Sequence, residues 1–172
     1  MPKYFFGITL PATIDAEVES WRRRFRAPKT PAHITLIPPF LWEGSETMLI
    51  NAALKSINNK LPFSVTAEEL GSFGKGVIFI DIHPSNELVS INKELAGNLS
   101  ELGIQLDKKR YYPHITLATR LKPGQFINYQ RELADYSPKF SFECDHITVF
   151  ILDESGKFNR WIKWTELNLG SN

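Results

Sequence analysis

The chain has 172 residues, of which 42% are hydrophobic and 23% charged, and its formal net charge is +1. These values are typical of one globular domain, here residues 1–172, with a substantial core, and the near-zero charge gives no argument for nucleic acid or membrane. The single cysteine, Cys144, excludes an intramolecular disulfide and a cysteine-based zinc site. No stretch approaches the ~20 apolar residues of a membrane span. We therefore expect a cytoplasmic protein with no membrane partner, and a monomer.

Hydrophobic periodicity divides the chain into strands and helices. Alternating or continuous apolar runs predict strands at 3–10, 32–37, 63–70, 76–82, 113–119, 140–152 and 161–169. Apolar residues at helical spacing predict helices at 12–26, 46–58, 85–102 and 126–133. Pro38 and Pro39 are expected to end the second strand. The alternation within 140–152 changes phase near Asp145, which predicts a bulge or a change of strand partner.

The tetrapeptide His-Ile-Thr-Leu occurs twice, beginning at His33 and at His114, 81 residues apart. Because side chains two apart in a strand share a face, His33 lies beside Thr35 and His114 beside Thr116. The intervening isoleucine and leucine side chains take the opposite face, which suits a core. Each motif strand thus presents one histidine and one hydroxyl together.

Both motifs end a strand–helix–strand unit. The first unit covers residues 3–37 and the second covers residues 76–119, and their other residues are unlike. Two such units predict a duplicated α+β fold of two lobes related by a pseudo-twofold axis. Each lobe would be an antiparallel-rich sheet with outer helices, and both motifs would line a central cleft.

Two histidines and two hydroxyls suit phosphodiester chemistry. Imidazole has a reference pKa near ~6.5, so one ring can accept a proton while the other donates one. Threonine hydroxyls can hydrogen-bond the oxygens that gain charge in the transition state. This chemistry needs no cofactor and no metal, and the sequence offers no metal-ligand set beyond scattered carboxylates.

The sequence resembles the two-histidine (2H) phosphoesterase superfamily, closest to the 2′-5′ RNA ligase and RNA 2′,3′-cyclic phosphodiesterase group. The resemblance rests on the two motifs, on the Arg-Tyr-Tyr-Pro segment that leads from Arg110 to His114, and on the opening strand from Tyr4 to Ile8. The first motif continues Ile-Pro-Pro-Phe over 37–40, where the RNA ligases commonly have Phe-Leu-Gly, which leaves the subgroup open.

The resemblance implies roles for the four motif residues. His33 would be the general acid and His114 the general base, while Thr35 and Thr116 would hold the phosphate. The substrate would be a 2′,3′-cyclic phosphate at an RNA end, opened to a 2′-phosphate. With a 5′-hydroxyl RNA end as partner, the same chemistry would give a 2′-5′ linkage without ATP.

Residues near the motifs are further candidates. Phe40 and Tyr112 could stack on bases or pack in the core, and Arg110 and Arg120 could bind substrate phosphates or lie at the surface. A third His-x-Thr, at His146, lies outside both units and indicates an ordinary strand. Two other functions stay open: a phosphodiesterase acting on a small nucleotide such as an ADP-ribose cyclic phosphate, and a non-catalytic RNA-binding module.

Overall fold

The computed structural model describes residues 1–170, which form eight strands and four helices. The strands are β1 (Lys3–Thr9), β2 (His33–Leu41), β3 (Phe63–Phe73), β4 (Val77–Ile82), β5 (His114–Ala118), β6 (Ser141–Cys144), β7 (His146–Asp153) and β8 (Arg160–Asn168). The helices are α1 (Ala12–Arg24), α2 (Glu46–Ile57), α3 (Asn86–Glu101) and α4 (Pro123–Glu132). None of the helices within residues 1–170 has the length and apolar character needed to cross a membrane.

The strands form two four-stranded sheets in which every pairing is antiparallel. The order is β2-β1-β7-β8 in the first sheet and β5-β4-β3-β6 in the second. Each motif strand is the edge strand of its sheet and pairs with the strand that opens its unit. The two edge strands, β2 and β5, contact each other. The predicted duplicated α+β architecture with antiparallel sheets is confirmed, and the two motifs meet where the sheets meet.

Helices α1 and α3 each join two strands of one sheet and pack against a strand of the other. α1 joins β1 to β2 in the first sheet but contacts β5 of the second, while α3 joins β4 to β5 and contacts β2 of the first. Four apolar side chains of α3 are fully buried: Leu88, Ile91, Leu95 and Leu99. Each motif strand is therefore packed by the helix of the opposite unit.

The predicted strand over 140–152 is two strands that belong to different sheets. β6 pairs with β3, as in the Val65–Phe142 pair, whereas β7 pairs with β1 and β8. Asp145 lies between them, at the position where the alternation changes phase. Of the two predicted alternatives, a bulge or a change of strand partner, the structure shows the change of partner.

Pro38 and Pro39 do not end β2, which continues to Leu41, so that prediction was wrong. Proline lacks the N–H that a central strand needs on one of its sides, but an edge strand can carry it. β2 pairs only with β1, and the register is irregular there: Ile37 faces Phe6 and Phe40 faces Tyr4. The two prolines thus occupy a bulge on the free edge of the first sheet.

Candidate active site

The two motifs present their histidines and threonines on one strand face, as predicted. His33 and His114 are the first residues of β2 and β5. The alternating apolar residues of both motifs are at most 1% exposed: Ile34, Leu36, Ile115 and Leu117. Because that face is fixed in the core, the opposite face with its histidine and threonine is partly exposed.

The two imidazoles are held by the same hydrogen bond. Nδ1 of His33 donates to the carbonyl oxygen of Pro31 at 2.7 Å, and Nδ1 of His114 donates to the carbonyl oxygen of Tyr112 at 2.7 Å. A carbonyl oxygen only accepts, so each Nδ1 carries a proton. Each ring is therefore fixed in the tautomer whose Nε2 can exchange a proton with a ligand.

Aromatic rings support each imidazole. The ring of His33 lies 4.7 Å from that of Phe5 and 5.6 Å from that of Phe150, between centroids. The ring of His114 lies 5.1 Å from both Phe73 and Phe79. Both histidines thus have an apolar backing that limits ring rotation.

Gly7 lies where β1 approaches the backbone of the first motif closely. It pairs with Thr35 across β1 and β2. A Cβ atom at this position would lie 3.0 Å from the carbonyl oxygen of Ile34 and 3.5 Å from the His33 ring. A side chain here would require the Ile34 carbonyl to shift by a few tenths of an ångström.

Burial shifts both imidazoles toward their neutral form. It lowers the pKa of His33 to about 4, and the positive charges of Arg22 and of protonated His114 act in the same direction. Burial also lowers the pKa of His114, although the Tyr112 carbonyl and the carboxylate of Asp81 oppose that effect. A positive charge on His114 therefore disfavours a second one on His33.

Arg22 ties the two motif segments together, and the sequence analysis did not single it out. Its side chain is buried, at 4% exposure. Nη1 donates to the carbonyl oxygen of Thr116 at 2.8 Å, and Nη2 donates to the carbonyl oxygen of Thr30 at 2.6 Å. Val18, one helical turn before Arg22, is fully buried, so helical spacing was the available signal.

Two side chains hydrogen-bond the backbone of β2, as Arg22 does that of β5. Nδ2 of Asn92, on α3, donates to the carbonyl oxygen of Leu36 at 2.8 Å. The hydroxyl of Tyr111 donates to the carbonyl oxygen of Thr35 at 3.0 Å. Backbone carbonyls of each motif thus accept hydrogen bonds from side chains of the opposite strand–helix–strand unit. These bonds fix the position of one motif relative to the other.

A cleft of about 1020 Å³ opens beside the motifs and is lined by Thr35 and His114. Of the predicted substrate contacts, Arg110 and Tyr112 also line it. Tyr112 is 47% exposed, and its hydroxyl donates to Asp81 at 3.3 Å. His33 and Thr116 are partly exposed on the same strand faces as Thr35 and His114, but they do not line this cleft.

Two predicted substrate contacts lie elsewhere. Phe40 is 5% exposed and packs in the core, 6.0 Å from Phe6 between ring centroids, so it is not available to a ligand. Arg120 follows the end of β5 and lines a separate pocket with Arg26. The predicted contact of Phe40 with substrate was therefore wrong. Arg120 does not line the cleft, so its predicted contact with a substrate phosphate stays a prediction.

The third His-x-Thr motif lies inside the first sheet, as expected of an ordinary strand. Nδ1 of His146 is hydrogen-bonded to Oδ1 of Asp145 at 2.6 Å, and Thr148 is fully buried. Within residues 1–170 no group of three or more His, Cys, Asp or Glu side chains is placed to hold a metal ion.

Known proteins share this fold and sequence pattern. The sequence profile of the 2′-5′ RNA ligase superfamily matches residues 10–156. LigT of E. coli, in a crystal structure with 3′-AMP, is 21% identical, with a TM-score of 0.74 over 99% of this chain and 100% of LigT. TT0787 of Thermus thermophilus is 19% identical, with a TM-score of 0.73 over 98% of both chains. A search of the curated proteins found no match to the chain.

The profile match covers most of the chain, and the two solved structures agree in fold along almost all of it. Together they confirm the resemblance to the two-histidine phosphoesterases that the paired motifs indicated. The chain belongs to the 2′-5′ RNA ligase superfamily.

Proposed function

We propose that the protein is a metal-independent phosphodiesterase that opens 2′,3′-cyclic phosphates at RNA ends. The observation that carries this proposal is the matched pair of imidazoles. Both are fixed through Nδ1 to a backbone carbonyl two residues upstream, and both begin edge strands that contact each other. An acid and a base related in this way can act on the two sides of one phosphorus atom.

The chemical step is an in-line displacement. The neutral imidazole, which the family resemblance assigns to His114, takes a proton from water through Nε2 as the water oxygen bonds to phosphorus. The bond from phosphorus to the ribose 3′-oxygen breaks, and the protonated imidazole of His33 gives its proton to that oxygen. The product carries a 2′-phosphate and a 3′-hydroxyl. With a 5′-hydroxyl RNA end in place of water, the same step forms a 2′-5′ linkage: the 5′-oxygen bonds to phosphorus and the bond to the 3′-oxygen breaks.

The substrate itself helps to supply the acid. Burial and the positive charge of Arg22 lower the pKa of His33 to about 4 in the free protein. A bound phosphate brings a negative charge, and a nearby opposite charge raises the pKa of an imidazole. His33 would thus gain its proton as the substrate enters.

The threonines would stabilise the transition state. Thr35 and Thr116 follow their histidines by two residues on the same strand face. Hydroxyls placed there can donate to the non-bridging phosphate oxygens as negative charge grows on them. A nucleotide ligand is in keeping with the fold family, since E. coli LigT has been crystallised with 3′-AMP, ATP, NADP+ and phosphate.

A substrate panel tests this function. Purified protein in EDTA would be given an RNA oligonucleotide with a terminal 2′,3′-cyclic phosphate, a 2′,3′-cyclic mononucleotide and an ADP-ribose cyclic phosphate, with ³¹P NMR used to identify the product. We expect the RNA end to give a 2′-phosphate. A His114→Ala variant, which should be inactive, is the control. Opening of the ADP-ribose substrate alone would favour the small-nucleotide alternative. RNA binding without turnover of any substrate would favour the non-catalytic module, and strict dependence on added metal would overturn the mechanism.

Cytoplasmic location, a monomeric state and a single domain over 1–172 remain predictions.

A further inference from the structure

The cleft extends well beyond the motif residues, along helix α3. We call this extension the α3 groove; it is lined by Leu36, Val89, Asn92, Lys93, Ala96, Gly97, Ser100 and Leu106 and by the segment 107–112. Val89 lies near the start of α3 and Ser100 near its end. At 1.5 Å per residue, the groove follows the helix for ~16 Å. Stacked nucleotides are spaced by ~3.4 Å along one strand, so the groove is longer than one nucleotide.

Small side chains keep the groove open. Ala96, Gly97 and Ser100 are neighbours on the surface of α3. A Cβ atom built at Gly97 would meet nothing within 4 Å. Glycine weakens a helix interior compared with alanine, so this residue costs α3 stability and leaves free space in the groove.

The groove carries positive charge. Its cations are Lys93, Lys108, Lys109 and Arg110, and its single acid is Asp107. Asp107 is paired with Lys109 at 3.2 Å. Within residues 1–170 the side chains of Lys93, Lys108 and Arg110 form no ion pair with a carboxylate. A net excess of three cations therefore faces the groove, although the whole chain has a net charge of only +1.

The end of the groove near His114 presents apolar and aromatic surface. Val89, Phe73 and Tyr112 are 40%, 43% and 47% exposed, and all three line the cleft. Exposed aromatic rings beside a cationic track are the features with which proteins bind single-stranded nucleic acid, because every base can stack and every phosphate is negative.

We infer that the α3 groove binds the nucleotides that precede the cyclic phosphate, so the protein acts on oligonucleotide ends in preference to mononucleotides. This inference rests on the proposed function. A 2′,3′-cyclic phosphate terminates an RNA strand at its 3′ end, and the rest of the strand continues from the 5′ side of the same ribose. With the terminal phosphate at His114 and Thr35, the α3 groove offers the rest of the strand both free space and positive charge.

Filling the groove tests the inference. Gly97→Phe places an aromatic side chain in the free space, and Gly124→Phe is the matched control. Gly124 is also a helical glycine with nothing within 4 Å of its Cβ position, but it lies in α4 and does not line the cleft. Thermal unfolding of both variants checks that they fold.

Two readouts separate this inference from the proposed function. The first is the ratio of kcat/KM for a cyclic-phosphate-terminated RNA tetramer to that for a cyclic mononucleotide. The second is binding of a fluorescent RNA tetramer with a terminal 2′-phosphate, which needs no turnover. We expect a ratio of about ten or more for the wild type and for Gly124→Phe, and a loss of about tenfold in both readouts for Gly97→Phe.

A wild-type ratio near one, or equal tetramer binding by the two phenylalanine variants, would overturn the inference. If the protein opens cyclic phosphates without a preference for the tetramer, the groove proposal fails and the proposed function stands. If tetramer binding depends on Gly97 but no substrate is opened, the proposed function fails and the groove proposal stands.

Charge gives a second test that does not depend on filling the groove. The double variant Lys93→Gln, Lys108→Gln removes two of the unpaired cations. Each phosphate contact contributes about 0.7 to the salt slope of single-strand binding, so the slope of log Kd against log salt should fall by about 1.4. Lys139→Gln, an exposed lysine outside the cleft, should leave the slope unchanged. An unchanged slope in the double variant would overturn the groove proposal.

Discussion

Protonation of His33 should destabilise the folded protein, and unfolding measurements across pH can detect the effect. The unfolded chain binds a proton at this imidazole below pH ~6.5, whereas burial and Arg22 lower the pKa of His33 in the folded protein to about 4. Between these values only the unfolded state is protonated. The stabilising contribution of neutral His33 is thus fully present above pH ~6.5 and is lost as the pH falls toward 4. At ~1.4 kcal/mol per pH unit, the loss amounts to about 3 kcal/mol.

The assay is urea unfolding of the wild type and of His33→Gln at pH 7.5, 6.5, 5.5 and 4.5. Glutamine keeps a polar side chain but does not titrate, so subtracting the two stability curves removes the contribution of all other groups. The variant should lose about 2.5 kcal/mol less than the wild type between pH 7.5 and 4.5. His83→Gln is the control, because His83 and its hydrogen-bond partner Glu68 are both exposed. Parallel curves for the wild type and His33→Gln would refute the assignment of His33 as a buried neutral imidazole.

Three further outcomes are expected. The pH profile of kcat/KM should be bell-shaped with its maximum below pH 6.5, since burial lowers the pKa of both histidines in the free protein. The kcat profile should lie at higher pH, because bound phosphate raises both pKa values again. A kcat/KM maximum above pH 7, with chemistry rate-limiting, would contradict this prediction. Thr35→Val and Thr116→Val should each lower kcat by about 10²–10³-fold while both limbs of the profile persist, and loss of a limb in steady-state assays would show that the hydroxyls do more than bind phosphate. Arg22→Met should reduce the free energy of unfolding by at least ~2 kcal/mol, since buried carbonyls lose their hydrogen-bond donor. Arg24 lies on the same helix but is exposed and paired with Glu132, so Arg24→Met should cost less than ~1 kcal/mol. Equal losses in urea unfolding would refute the buried role of Arg22.

Local periodicity predicted the features that depend on strand faces. Alternation placed His33 beside Thr35 and His114 beside Thr116, because a two-residue period assigns every side chain to one face. The phase change near Asp145 correctly located the transfer of the chain from the second sheet to the first. The repeat of strand–helix–strand units indicated that the two motifs occupy equivalent positions, which the two sheet orders confirm.

Features that depend on long-range contacts could not be predicted in the same way. Pro38 and Pro39 look like strand breakers unless β2 is known to be an edge strand with a free side. Arg22 belongs to a run of arginines, and only packing against the opposite unit shows that its side chain alone is buried against β5. Phe40 lies close to the first motif in sequence, but the bulge at the two prolines directs it into the core.

The central claim is that His33 and His114 act together on one phosphodiester. The most direct measurement compares kcat/KM of the wild type with that of His33→Ala, His114→Ala and the double variant, on an RNA end with a 2′,3′-cyclic phosphate in EDTA. Removing one partner of an acid–base pair should cost about 10²–10⁴-fold, and the double variant should be little worse than the weaker single variant because the two residues act as a unit. Losses that multiply in the double variant, or full activity in either single variant alongside an inactive His146→Ala, would contradict the account.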